Sequence, residues 1–168
     1  MGARMKLIMP FVSGVGHESC VQNLLNVGRE LGLTVEVHHI ERARDTHYAE
    51  TLARLWAQPQ DIIIVEHDVM VTSEQLSQLI SCDEECCAFE AWFGHSFDVA
   101  LCCNKFSAAL MREEPELTRE IEQVHWRRLD VAINSALKMR DRAPHIHIPP
   151  VQHMHAYAKL APEVQSAG

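Results

Sequence analysis

Long hydrophobic runs are missing from this 168-residue sequence. No apolar stretch approaches the ~20 residues that a helix needs to cross a bilayer, which excludes a helical membrane span. The opening MGARMKLIMPFVSG is basic and briefly apolar. It has no A-x-A-like processing site, and no Ser or Thr where a myristoylation motif needs one. A cytoplasmic location is therefore expected. An excess of positive charge is missing too: the formal net charge is −8, which argues against non-specific binding to nucleic acid or to an anionic membrane surface. The loop SGVGHES has no GK[ST] ending, so it is not a P-loop. Ser19 stands where a G-x-G-x-x-G fingerprint would place its third glycine after Gly14 and Gly16. Six cysteines are present, but no C-x-x-C, so reduced thiols buried in a core are the first expectation. Repeats, low-complexity tracts and linkers are also lacking. With 47% hydrophobic and 23% charged residues, this is the composition of one globular domain over 1–168.

What is present alternates between strand and helix patterns. RMKLIMPFVSGVG reads as an apolar strand entering a glycine loop, and HESCVQNLLNVGRELG as a helix stopped at Gly32. LTVEVHHI reads as a second strand, THYAETLARLWAQ as an amphipathic helix ended by Pro59, and DIIIVEHD as a third strand. This order predicts an α/β fold, a Rossmann-like and mostly parallel sheet flanked by helices. Thr72 and Gln75 have capping-box spacing, with Val71 and Leu76 placed as a hydrophobic staple, so a helix is expected from about Ser73 to Ser81. ECCAFEAWF and FDVALCCNKF read as strands around a Gly94–His95 turn, and LTREIEQVHWRRLDVAINSALKMR as helical. Residues 143–168 read as an extended, histidine-rich tail.

Chemistry concentrates where DIIIV meets Glu66-His67-Asp68. Alternation along a strand sends Glu66 and Asp68 one way and His67 the other. Ligands of open α/β sheets gather beyond the carboxyl ends of the strands, and two carboxylates there make a hard oxygen site suited to Mg²⁺ or Mn²⁺. In the tail, His145 and His147 share one face, as do His153 and His155, and imidazole also accepts such ions. Trp126, Leu129, Ile133 and Leu137 form an apolar stripe on the expected helix, with Asp130 on it. A carboxylate so placed is either ion-paired or poised as a general base.

In order along the chain, FVSGVGHES, VEHD, LCCNKFSAAL, WRRLD and the C-terminal histidines resemble the GT-A glycosyltransferases, in particular small, family-2-like members, with EHD in the place of D-x-D. The resemblance implies a metal-dependent transferase using a nucleotide-diphosphate sugar, UDP- or GDP-linked, with an unknown acceptor, and a possible homo-oligomer. It implies Asp68 and Glu66 as metal ligands with His153 or His155, and Asp130 as the base of an inverting reaction. Val12, Ser13, Gly14, His17, Glu41, Glu66 and His67 would line the nucleotide. Two other classes stay open: a non-catalytic nucleotide- or metal-binding module that needs a partner for its acceptor site, and a zinc protein built on Cys82, Cys86 and the tail histidines.

Overall fold

A computed structural model describes residues 5–14, 17–92, 100–154 and the backbone of 97 and 98. Gly16, the Gly94–His95 turn and His155 lie outside the described residues.

Strand β1 (Lys6–Val12) lies between β2 (Val35–Ile40) and β3 (Ile62–Val65), parallel to both. The pairing of β1 with β3 runs from Lys6 to Ile8, so Pro10, which has no amide hydrogen to give, falls where that ladder has ended. Helices α1 (Glu18–Glu30) and α2 (His47–Trp56) make the crossovers, as expected. The turn after β3 leads into a two-residue strand, β4 (Val69–Met70), that the sequence reading missed. Helix α3 (Ser73–Ser81) follows with the expected capping box.

Beyond α3 come β5 (Cys86–Trp92), β6 (Phe97–Asp98) and β7 (Cys103–Phe106). Then come α4 (Ala108–Glu113), α5 (Leu117–Ile121), a 3₁₀ turn over Trp126–Arg128, α6 (Leu129–Lys138) and β8 (His145–His153). The sheet runs β2-β1-β3-β7-β5-β8-β4, with β6 added to β5.

Three expectations need correcting. The sheet is mixed rather than mostly parallel. Among the described residues β1–β2, β1–β3 and β5–β8 are parallel, while β3–β7, β5–β7, β5–β6 and β4–β8 are antiparallel. A parallel return needs a crossover of a dozen or more residues, and among the described residues no helix separates β5 from β7. The histidine-rich segment is no tail at its start: His145–His153 is a strand inserted between β5 and β4. Its pairing with β5 skips between Phe89 and Ala91, opposite Ile148, Pro149 and Pro150, because prolines cannot donate to a ladder. Trp126 is not on a helical stripe. It sits in the 3₁₀ turn, 36% exposed, and α6 begins only at Leu129.

Helices cover both faces of the sheet. One core joins Ile8, Ile62, Ile64 and Phe106 to Trp56 of α2 and to Leu129, Ile133 and Leu137 of α6. The other joins Leu7, Met9, Ile63, Val65 and Phe89 to Leu24 of α1 and Leu76 and Leu79 of α3. Every residue of β3 is consequently fully buried, which is why its sequence is an unbroken apolar run. Cys86 and Cys87 fall into these opposite cores. Cys82 packs with the core of Cys87, so a pairing of Cys82 with Cys86 is not what the fold brings about.

Candidate functional site

The carboxyl ends of β1, β2 and β3 share one edge of the sheet: Val12 is in register with Ile40, and Glu66 follows directly after β3. The chain turns there, with the Val69 amide donating to the Glu66 carbonyl at 3.1 Å. Glu66 is anchored by its own amide, which donates to the Cys102 carbonyl at 3.0 Å. His67 leaves in the other direction. Its Nδ1 lies 3.1 Å from the Pro10 carbonyl oxygen, which places the ring proton on that nitrogen, and its ring stands edge-on to Phe11. The neighbouring histidine thus fastens the turn to β1.

Asp68 is 6% exposed, and its Oδ2 lies 3.4 Å from His153 Nε2. The antiparallel pairing of Val69 with His153 brings the two together, reinforced by the Met154 amide donating to the Asp68 carbonyl at 2.8 Å. Glu66, Cys102 and His153 each offer a ligand atom within 4.8 Å of the others. Glu66 and His153 are thus brought into one group with Cys102, although His153 lies in another strand, and Asp68 stands beside that group through its pairing with His153.

Asp130, in the first turn of α6, is near enough for its charge to act on Glu66, Tyr48 and Cys102. Desolvation raises the Glu66 carboxyl to about 8. The negative charges of Asp130 and Asp68 add to this, and the Tyr48 hydroxyl partly offsets it. Tyr48 is buried on α2 with its own pKa raised by burial and by Glu66 and Asp130, and among the described residues its hydroxyl forms no well-shaped hydrogen bond. Burial, then the charges of Glu66, Asp130 and Asp68, hold the Cys102 thiol well above its ordinary value. Sequence reasoning missed both residues, because Tyr48 and Cys102 looked like ordinary core positions.

The other expected residues are spread along the same edge. Val12 ends β1 half-buried, Ser13 and Gly14 are exposed, and Gly14 takes a left-handed φ of 81° with open space around its Cβ position. His17 is the N-cap residue of α1. Glu41, exposed just past β2, lies 3.9 Å from Arg44, and its amide donates to His47 Nδ1. A cavity of about 540 Å³ lined by Val124, His125, Arg127 and Arg128 opens just ahead of α6.

The donor set fits a divalent cation. Glu66 and His153 bring a carboxylate and an imidazole together, and Asp68 adds a carboxylate beside His153. Glu66 is held protonated near neutral pH chiefly by burial and then by the charges of Asp130 and Asp68, which a dication would offset.

No known family profile matches the sequence, and no curated protein does. Solved structures do share its fold. A glycosyltransferase involved in glycosylating the major capsid of PBCV-1 matches with a TM-score of 0.59 at 8% identity, over 89% of this chain and 93% of that one. A Bacillus anthracis protein assigned as a glucose-1-phosphate thymidylyltransferase, in complex with sucrose, matches with a TM-score of 0.51 at 9% identity, over 94% and 92%. At such identities the likeness is one of fold alone. No helix among the described residues is long and apolar enough to cross a membrane.

Proposed function

We propose that this chain is a single-domain, metal-dependent glycosyltransferase of the GT-A type that uses a nucleotide-diphosphate sugar. The observation carrying this reading is the grouping of Glu66, Cys102 and His153 at the carboxyl edge of the parallel strands, with Asp68 paired to His153 and the charge of Asp130 on α6 acting on Glu66. Likeness in fold to a glycosyltransferase supports it.

Asp68, Glu66 and His153 hold Mn²⁺ or Mg²⁺. Held there, such an ion would supply positive charge to offset the diphosphate that departs with the nucleotide. Val12, Ser13, Gly14 and His17 cradle the nucleotide at the end of β1, where the open space at Gly14 lets a ligand approach the backbone. Glu41 recognises the edge of the base or ribose, and His67 keeps the acidic turn in place through its bond to β1. Asp130 accepts the proton of the acceptor hydroxyl as that oxygen attacks the sugar, which inverts the anomeric centre. The cavity lined by His125 and Arg127, just ahead of the helix that carries Asp130, offers the acceptor an approach.

A thermal-shift panel of UDP- and GDP-sugars with and without Mn²⁺ tests the reading. At a hundredfold excess over Kd a ligand adds about 2.7 kcal/mol, which is roughly 5–10 °C in Tm for a domain of this size. The shift should need the metal and vanish in Asp68→Asn. Asp130→Asn should keep it while slowing transfer by about 10²–10⁴-fold. No shift with any nucleotide defeats the proposal. A shift without transfer to any acceptor leaves only a non-catalytic binding module.

A further inference from the structure

The same strand that carries His153 takes part in a second cluster near its opposite end. Cys82 is the C-cap of α3, Cys87 lies in β5 and His147 lies in β8, and their donor atoms fall within 4.8 Å of one another. We propose that Cys82, Cys87 and His147 bind one zinc ion, a site separate from the acidic centre and independent of its assignment.

The donor chemistry selects the metal. Two sulfurs and one imidazole form a soft to borderline set, which favours zinc over the hard ions suited to Glu66 and Asp68. Zinc–sulfur bonds of about 2.3 Å and zinc–nitrogen bonds of about 2.0 Å put tetrahedral ligand atoms roughly 3.5–3.8 Å apart. The three groups are thus within about an ångström of closing on an ion. Water takes the fourth position.

A second observation is independent of the thiols. The Nε2 of His147 is buried and has no hydrogen-bond partner among the described residues, although a buried imidazole nitrogen ordinarily has one. Its ring is fixed between Phe89, at 5.4 Å, and His145, at 4.7 Å between centroids. Burial, followed by the charges of His145 and Lys105, lowers its pKa and keeps it in the neutral form that ligates metals. On binding, the Cys82 and Cys87 thiols each lose a proton to solvent, so the ion and two thiolates carry no net charge. Burial and then the adjacent Cys82 thiol hold the Cys87 thiol above its ordinary value in the metal-free protein, and the Lys105 ammonium, paired across from Cys87 and donating to the Cys82 carbonyl, acts the other way. The ion would fasten the end of a helix to two adjacent strands.

The test uses the full chain, purified under reducing conditions, with metal content measured after dialysis and affinity measured by competition against a zinc-binding dye. One zinc per chain should be retained. Cys82→Ser or Cys87→Ser should weaken binding more than about a hundredfold, while Cys86→Ser and Asp68→Asn leave it unchanged. Cobalt in place of zinc should give thiolate-to-metal charge-transfer absorption that Cys87→Ser abolishes. For the unaltered chain, zinc should protect Cys82 and Cys87 from alkylation while the reactivity of Cys86 is unaffected. Zinc that binds without protecting those two thiols, zinc lost with Asp68→Asn, or a Cys82–Cys87 disulfide in the reduced preparation would each overturn the assignment.

Discussion

At the scale of single residues, Glu66 concentrates the physics of the acidic centre. In the unfolded chain it titrates near its ordinary 4.5, and in the folded chain near 8, chiefly because burial strips water from the carboxylate and Asp130 and Asp68 repel it. The folded state therefore holds a proton between those values that the unfolded state has released. That contribution to stability is complete below pH 4.5 and is lost as the pH rises through 8. Above that, the ionised carboxylate costs up to roughly 5 kcal/mol in the metal-free protein. Glu66→Gln removes the titration. Urea unfolding of the metal-free proteins should find the variant more stable than the parent above about pH 8, with the gap closing towards pH 5. Parallel pH profiles would show that Glu66 is not buried among like charges. The same proton competes with a cation, so Mn²⁺ affinity should rise with pH up to about 8 and then level off.

The sequence made this residue visible through contrast, a run of buried isoleucines ending in charge. The alternation argument reached the right partition for a reason that holds only in part. His67 does point away, onto the Pro10 carbonyl, but Glu66 and Asp68 sit in a turn rather than a strand. Tyr48 and Cys102 stayed hidden because nothing local distinguishes a hydroxyl or thiol that lines a site from one that fills a core.

Among the elements, α3 and β8 show which features are local enough to read. The capping box needs only four consecutive residues. The Gln75 amide donates to Thr72 Oγ1 at 3.1 Å, and the Thr72 amide to Gln75 Oε1 at 3.0 Å. Gln75 does something more that no local rule contains: its Nε2 reaches the carbonyls of Pro149 and Pro150 in β8, at 3.2 and 3.3 Å. Those carbonyls lie where β8 departs from the β5 ladder, so the cap of a helix also anchors a strand. Thr72→Ala should cost about 1 kcal/mol. Gln75→Ala should cost about 2–3 kcal/mol, since it removes the cap partner and leaves two strand carbonyls unanswered. Amide exchange should separate the two, with β8 amides exchanging faster in Gln75→Ala and nearly unchanged in Thr72→Ala. Equal exchange in both would reduce Gln75 to a capping residue. By contrast, β8 was not legible as a strand. Its hydrophobic alternation is broken by two prolines and several histidines, and its partners are β5, more than fifty residues earlier, and the two-residue β4.

Over the whole molecule, the sheet is a parallel half, β2-β1-β3, joined through antiparallel β7 to a half made of β5, β8 and β4. The acidic centre lies where the halves meet: Glu66 comes from the end of β3, Cys102 from the turn before β7, and His153 from β8. The crossovers of the first half were readable from strand and helix periods, because each repeats within a dozen residues. The second half was not, because its order depends on which distant strands find each other. This arrangement gives β8 two separable duties, and truncation and substitution should divide them. A chain ending at Arg142 loses the strand between β5 and β4, uncovers Phe89 and Ala91, and removes the buried Val151. Two open edges and a breached core should leave it without a cooperative urea transition and with little near-ultraviolet circular dichroism. His153→Ala in the full chain keeps the ladder and removes only an imidazole, so it should unfold cooperatively, with stability within about 1–2 kcal/mol of the parent. Its Mn²⁺ affinity should fall at least tenfold. A truncated chain that still unfolds cooperatively near the parental midpoint would mean that residues 143–168 are an appendage after all, and that the sheet closes without β8.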